Sequence, residues 1–91
     1  MKRSEMTKEQ LKARIMTRLR VVICRMDGII ADKRYWNATR TDAEPFDLGW
    51  ELAMRDATVK ELDAWERDDM KTVAIMAERL ARLARIPEAM E

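Results

Sequence analysis

Apolar positions recur along the chain at helical spacing. Ile15, Leu19, Val22, Met26 and Ile29 are separated by 4, 3, 4 and 3 residues. That alternation keeps one seam on one side of an α-helix. Met16, Ile23 and Ile30 widen the stripe, and no proline interrupts before Pro45. Thr7 and Gln10 have the spacing of a capping box, in which a hydroxyl and an amide satisfy the first free backbone N–H groups. The pattern predicts one helix over about 7–36, roughly 45 Å long.

A second stripe runs through Val59, Leu62, Trp65, Val73, Met76, Leu80 and Leu83. Thr58 with Glu61 repeats the capping-box spacing. Arg79, Arg82 and Arg85 fall near its end, where cations suit the helix dipole. Ile86-Pro87 closes it, because a residue before proline avoids helical geometry. This predicts a second long helix over about 58–85. Asp69 sits in the middle of that stripe, where an unpaired carboxylate is costly. It has three uses: capping a fresh helix after a kink at Asp68-Asp69, pairing with an arginine of the first helix, or facing a cleft.

Between the two lies a polar stretch, Asn37 to Glu44, followed by Pro45. Thr41 with Glu44, or Glu44 with Pro45 at the first helical position, would start a short helix. Phe46, Trp50, Ala53, Met54 and Ala57 then share one face and Leu48 and Leu52 the other. A short helix apolar on two sides is wedged between neighbours. Thr58 marks the expected break before the second long helix, the alternative being that the short helix runs on into it. Tyr35, Trp36, Phe46 and Trp50 crowd this junction and would plug one end of a bundle.

The back of the first helix carries Ala13, Thr17, Cys24, Gly28 and Ala31 on one arc. Such small residues let another backbone approach. Two long helices cannot bury both faces of the first. The expected architecture is therefore all-α: two long antiparallel helices, joined by a loop and a short helix, completing a helical bundle as a homodimer.

Composition narrows the chemistry. The chain has 91 residues, enough for one small helical domain over 1–91. Eight methionines fall mostly on the apolar stripes, where they serve as core filler. There is no histidine, which removes the commonest general base and metal ligand. Cys24 is the one cysteine. It has no histidine to activate it and no partner within the chain for a disulfide, which points to a reducing compartment. The residues of zinc, calcium, di-iron and phosphate-loop sites are missing. The expectation is no catalytic residue, no metal and no cofactor. The first ten residues are too charged for a secretory signal, and no apolar run approaches the roughly 20 residues of a membrane span. A cytoplasmic protein without membrane contact is expected.

The net charge of +1 hides a division. Residues 1–40 hold 11 basic and 4 acidic groups, and residues 41–91 hold 7 basic and 13 acidic. The halves are complementary, and opposed helices would use that complementarity first. The functional expectation is a non-catalytic protein-interaction module, a small accessory or inhibitory protein of the kind phages and mobile elements encode. It would bind a cellular protein through the acidic and aromatic middle, with Asp47, Trp50, Glu51, Glu61 and Asp68 as contacts. One alternative is nucleic-acid binding through Arg14, Arg18, Arg20 and Arg25 on phosphates. Another is a small arginine-dependent helical enzyme.

Overall fold

The computed structural model describes residues 6–85. It is all-helical, with three helices and no strand among the described residues: α1 (Lys8–Thr39), α2 (Gly49–Glu66) and α3 (Met70–Ala84). No helix is long and apolar enough to cross a membrane among the described residues.

α1 starts where its cap demands. The Gln10 backbone N–H donates to the Thr7 hydroxyl (3.1 Å) and the Thr7 N–H donates to the Gln10 side chain (3.1 Å). The helix runs three residues beyond the expected end. The Thr39 hydroxyl donates back to the Tyr35 carbonyl (2.8 Å), and the Arg40 N–H to the Trp36 carbonyl (2.9 Å). Leu19 and Ile30 are its buried residues.

The middle differs from expectation. Residues 41–48 form no helix. α2 begins only at Gly49, with no side-chain cap at Leu48. Nor does Thr58 start a helix. α2 passes through it, and its buried hydroxyl donates to the Met54 carbonyl (2.6 Å), inside the helix rather than at its end. The cap spacing of Thr58 and Glu61 is overridden because both side chains face the interior.

The expected helix over 58–85 is therefore two helices, broken at 67–69. The break has a defined geometry. The Asp69 N–H donates to the Ala64 carbonyl (2.9 Å) and the Asp68 N–H to the Trp65 carbonyl (3.2 Å). This is the Schellman closure, which needs a left-handed residue at the position of Asp68. Asp68 has φ 54°, a region aspartate tolerates better than most side chains. Asp69 then caps α3, accepting from the Thr72 N–H (3.1 Å) and hydroxyl (2.6 Å). Of the three uses of Asp69, the structure has the cap. Ile86 and Pro87, expected to close the last helix, lie outside the described residues.

Two sets of contacts fix the topology. Along α1, Lys12, Arg20, Asp27 and Lys33 pair in turn with Asp68, Glu66, Arg55 and Glu51. Partner numbers fall as α1 numbers rise, so α1 and α2 are antiparallel. The Trp50 indole N–H donates to the Leu83 carbonyl (2.8 Å), which lays the end of α3 against the start of α2. α2 is thus the central helix. Ala57 and Ala64, both 0% exposed, lie two turns apart on it, and small residues allow close helix packing. Val73 is the buried residue of α3. A bundle built by splitting the second long segment covers α2 on both sides within one chain.

Candidate functional site

The loop between α1 and α2 is the largest irregular surface among the described residues. It is held from one side. The Asn37 side chain donates to the Phe46 carbonyl (3.0 Å) and accepts from the Phe46 N–H (2.7 Å). The Phe46 ring meets Trp36 at 5.9 Å between centroids and lies 5.1 Å from the Lys33 ammonium. The Arg40 guanidinium covers the other ring, 4.3 Å from the Trp36 centroid. Lys33 in turn is ion-paired with Glu51. Aromatic and cationic side chains thus anchor the loop to the α1–α2 interface, where such contacts gain from partial desolvation.

The outer side of the loop faces solvent. Every residue from 38 to 47 is exposed. Phe46 keeps 39% of its surface exposed and Tyr35 keeps 72%. Glu44, Pro45, Phe46 and Asp47 line one shallow recess. Asp42 pairs with Arg40 (3.5 Å). The Asp47 carboxylate accepts the Gly49 N–H (2.9 Å) and so organises the entry to α2. Glu44 and Asp47 have no cationic partner among the described residues.

The five residues expected to contact a partner are not brought together. Asp47 is exposed in the loop. Trp50 is half-buried and committed to the Leu83 carbonyl. Glu51 is 1% exposed, against Lys33. Glu61 is buried and accepts from the Trp65 indole (3.1 Å). Asp68 is exposed but lies at the far end of α2, paired with Lys12 (2.6 Å). About 27 Å of helix separates the two ends. The acid of the middle segment is largely spent inside the chain, while the neighbouring Glu44 and Phe46 carry the open surface. An exposed proline-aromatic pair beside an unpaired glutamate was the available signal.

The arginines fare differently. Arg14, Arg18 and Arg25 are exposed and have no carboxylate partner among the described residues. Arg14 and Arg18 line a recess with Leu11 and Ile15, and the Arg14 guanidinium reaches the Met6 sulfur (3.9 Å). Arg20 lies 3.8 Å from Glu66.

Asp69 is a titratable group whose surroundings shift it. Hydrogen bonds from the Thr72 hydroxyl and Thr72 backbone hold its carboxyl below the ordinary value of 3.8. That is the signature of a structural cap. Among the described residues no group of three or more His, Cys, Asp or Glu could hold a metal ion. Cys24 is exposed. No protein-family model, curated protein or solved structure matches this chain.

Proposed function

We propose that the chain is a non-catalytic protein-interaction module that presents the loop over 40–47 to a partner protein with a basic surface. The observation that carries this reading is the exposed aromatic surface of Phe46 beside the unpaired carboxylates of Glu44 and Asp47. Aromatic anchors beside charges of one sign suit a small interface that uses burial for affinity and charge for orientation. The reading includes a homodimer, because α1 packs only one face within the chain. A small accessory or inhibitory role in the cytoplasm accords with it.

The test compares variants in affinity capture. Glu44→Lys leaves the Asn37 clamp and the Asp47 contact in place. It should release proteins that the unaltered chain retains, and added salt should weaken their retention. Retention unchanged by both treatments would defeat the reading.

A second reading has its own observation. Arg14, Arg18 and Arg25 project from α1 without carboxylate partners among the described residues, and phosphates would suit them. Arg20, in the expected set, faces Glu66 instead. Fluorescence anisotropy with labelled DNA and RNA at about 50 mM salt decides it. Binding that falls steeply with salt, and weakens when the three arginines become glutamine, supports nucleic acid. No binding at that salt removes it.

A further inference from the structure

The face of α1 turned away from α2 meets nothing else in the described chain. Thr17, Val21, Cys24, Gly28, Ala31 and Tyr35 follow one another along it at intervals of 4, 3, 4, 3 and 4 residues. All six are exposed, Val21 at 45% and Tyr35 at 72%. A Cβ placed on Gly28 would find no atom within 4 Å. This is a second seam of coiled-coil spacing on the same helix.

Resting on the homodimer proposed above, we infer that α1 of a second copy covers this seam in antiparallel orientation. Gly28 then lies against the partner's Ala31, and Cys24 against the partner's Tyr35. The charges beside the seam select this occupant and this register. One flank carries Arg18, Arg25 and Asp32, and the other carries Arg20, Asp27 and Arg34, all exposed. Arg25, Asp32 and Arg34 have no ion-pair partner among the described residues. Asp27 holds Arg55 while half its side chain stays exposed.

A two-fold axis across the helices lays each flank along the same flank of the other copy, reversed. Arg25 then meets the partner's Asp32, and Asp27 meets the partner's Arg34, each twice by symmetry. A parallel pair brings opposite flanks together in the same direction. It sets Arg20 beside the partner's Arg25 and Asp27 beside the partner's Asp32, so that like charges meet. Sliding the antiparallel pair by one heptad is no better. One direction opposes Arg25 with the partner's Arg25, Asp27 with the partner's Asp27 and Arg20 with the partner's Arg34, and these like pairs outnumber the pairing of Arg18 with the partner's Asp32. The other opposes Asp32 with the partner's Asp32. Like-charge juxtaposition is an effective bar to a wrong register.

The dimer leaves the proposed partner surface open. Asn37 clamps the loop at Phe46 on the α2 side of α1, away from the seam.

Sedimentation velocity of the full chain over a concentration series tests the inference. The unaltered chain should pass from monomer to dimer. Arg25→Glu and Asp32→Arg should each weaken self-association by about tenfold or more. The double exchange R25E/D32R should restore it to within about threefold, with helicity by circular dichroism unchanged throughout. A chain that stays monomeric at every concentration overturns the homodimer itself. A dimer indifferent to the single exchanges, or a double exchange no better than either single, overturns this face and register alone. Cys24 supplies an independent measurement on the unaltered chain. In the inferred register it lies about 16 Å along the axis from the partner's Cys24, beyond disulfide reach. Mild oxidant should therefore yield no disulfide dimer, whereas a rapidly formed one overturns the antiparallel arrangement.

Discussion

α2 is held on its two sides by different chemistry. Toward α1 it presents charge: Glu51, Arg55, Glu66 and, just beyond it, Asp68 meet Lys33, Asp27, Arg20 and Lys12. Toward α3 it sends the Trp50 indole to the Leu83 carbonyl, and the fully buried Ala57 and Ala64 follow Trp50 at seven-residue intervals on the same stripe. Charge ladders set direction and register but add little stability where they are solvated. Close packing adds stability but says less about register. On the α1 side a charge ladder sets the register over the buried Leu19 and Ile30 of α1, whereas no ion pair joins α2 to α3 among the described residues and that side depends on fit.

The sharpest way to break the α1 side is at its one buried rung. Lys33→Met takes the ammonium from a carboxylate that is 1% exposed. It should cost about 3 kcal/mol in urea unfolding, because a buried charge loses its counter-ion. Lys33→Met with Glu51→Met should recover most of that loss. On the α3 side, Ala64→Leu forces a large side chain into a fully buried position. It should cost about 2 kcal/mol and speed amide exchange in α3 more than in α1.

The hinge between the two interfaces responds to backbone geometry. Asp68 has positive φ, so Asp68→Val should destabilise by about 1 kcal/mol and Asp68→Gly should not, although both remove the contact to Lys12. Thermal melts of the two variants separate backbone strain from the ion pair. Asp69 gives a pH signature. Its folded carboxyl titrates below the ordinary 3.8. Its contribution is therefore complete above that value and is lost as pH falls through the lower, folded value. Asp69→Ala should lower the Tm by a few degrees at neutral pH, and the gap should close under strong acid. The smallest effect belongs to the exposed rung. Arg20→Gln should change stability by no more than about 0.5 kcal/mol.

Legibility followed how local each signal was. The Thr7–Gln10 box and the Ile15-to-Ile29 series involve neighbours on one helix, and α1 formed as they require. Thr58 with Glu61 has the same spacing as a box, yet both side chains are buried mid-helix. Spacing does not reveal which face meets a neighbour. Among the expected contact residues, Asp47 stayed on the surface while Glu51 and Glu61 went inside. Charge density along a sequence reads alike for a solvated acid and for one consumed by a cation elsewhere in the chain. The sequence places Tyr35 and Phe46 together in one aromatic plug. Phe46 does stack on Trp36, but Tyr35 follows the helical period to the opposite side of α1 and stays in water.

The amino-acid sequence alone determined the helical class, the start of α1 and the opposition of a basic first part to an acidic second. Each depends on residues within a turn or two of one another, or on simple counting. Only the tertiary structure decided that the second stripe would break at 67–69, and which carboxylates would be buried. The break places Asp68 in a left-handed conformation that aspartate adopts at some cost. That cost is offset when α3 folds back onto α2 and Leu83 meets Trp50, a gain between residues distant in sequence that no local pattern records.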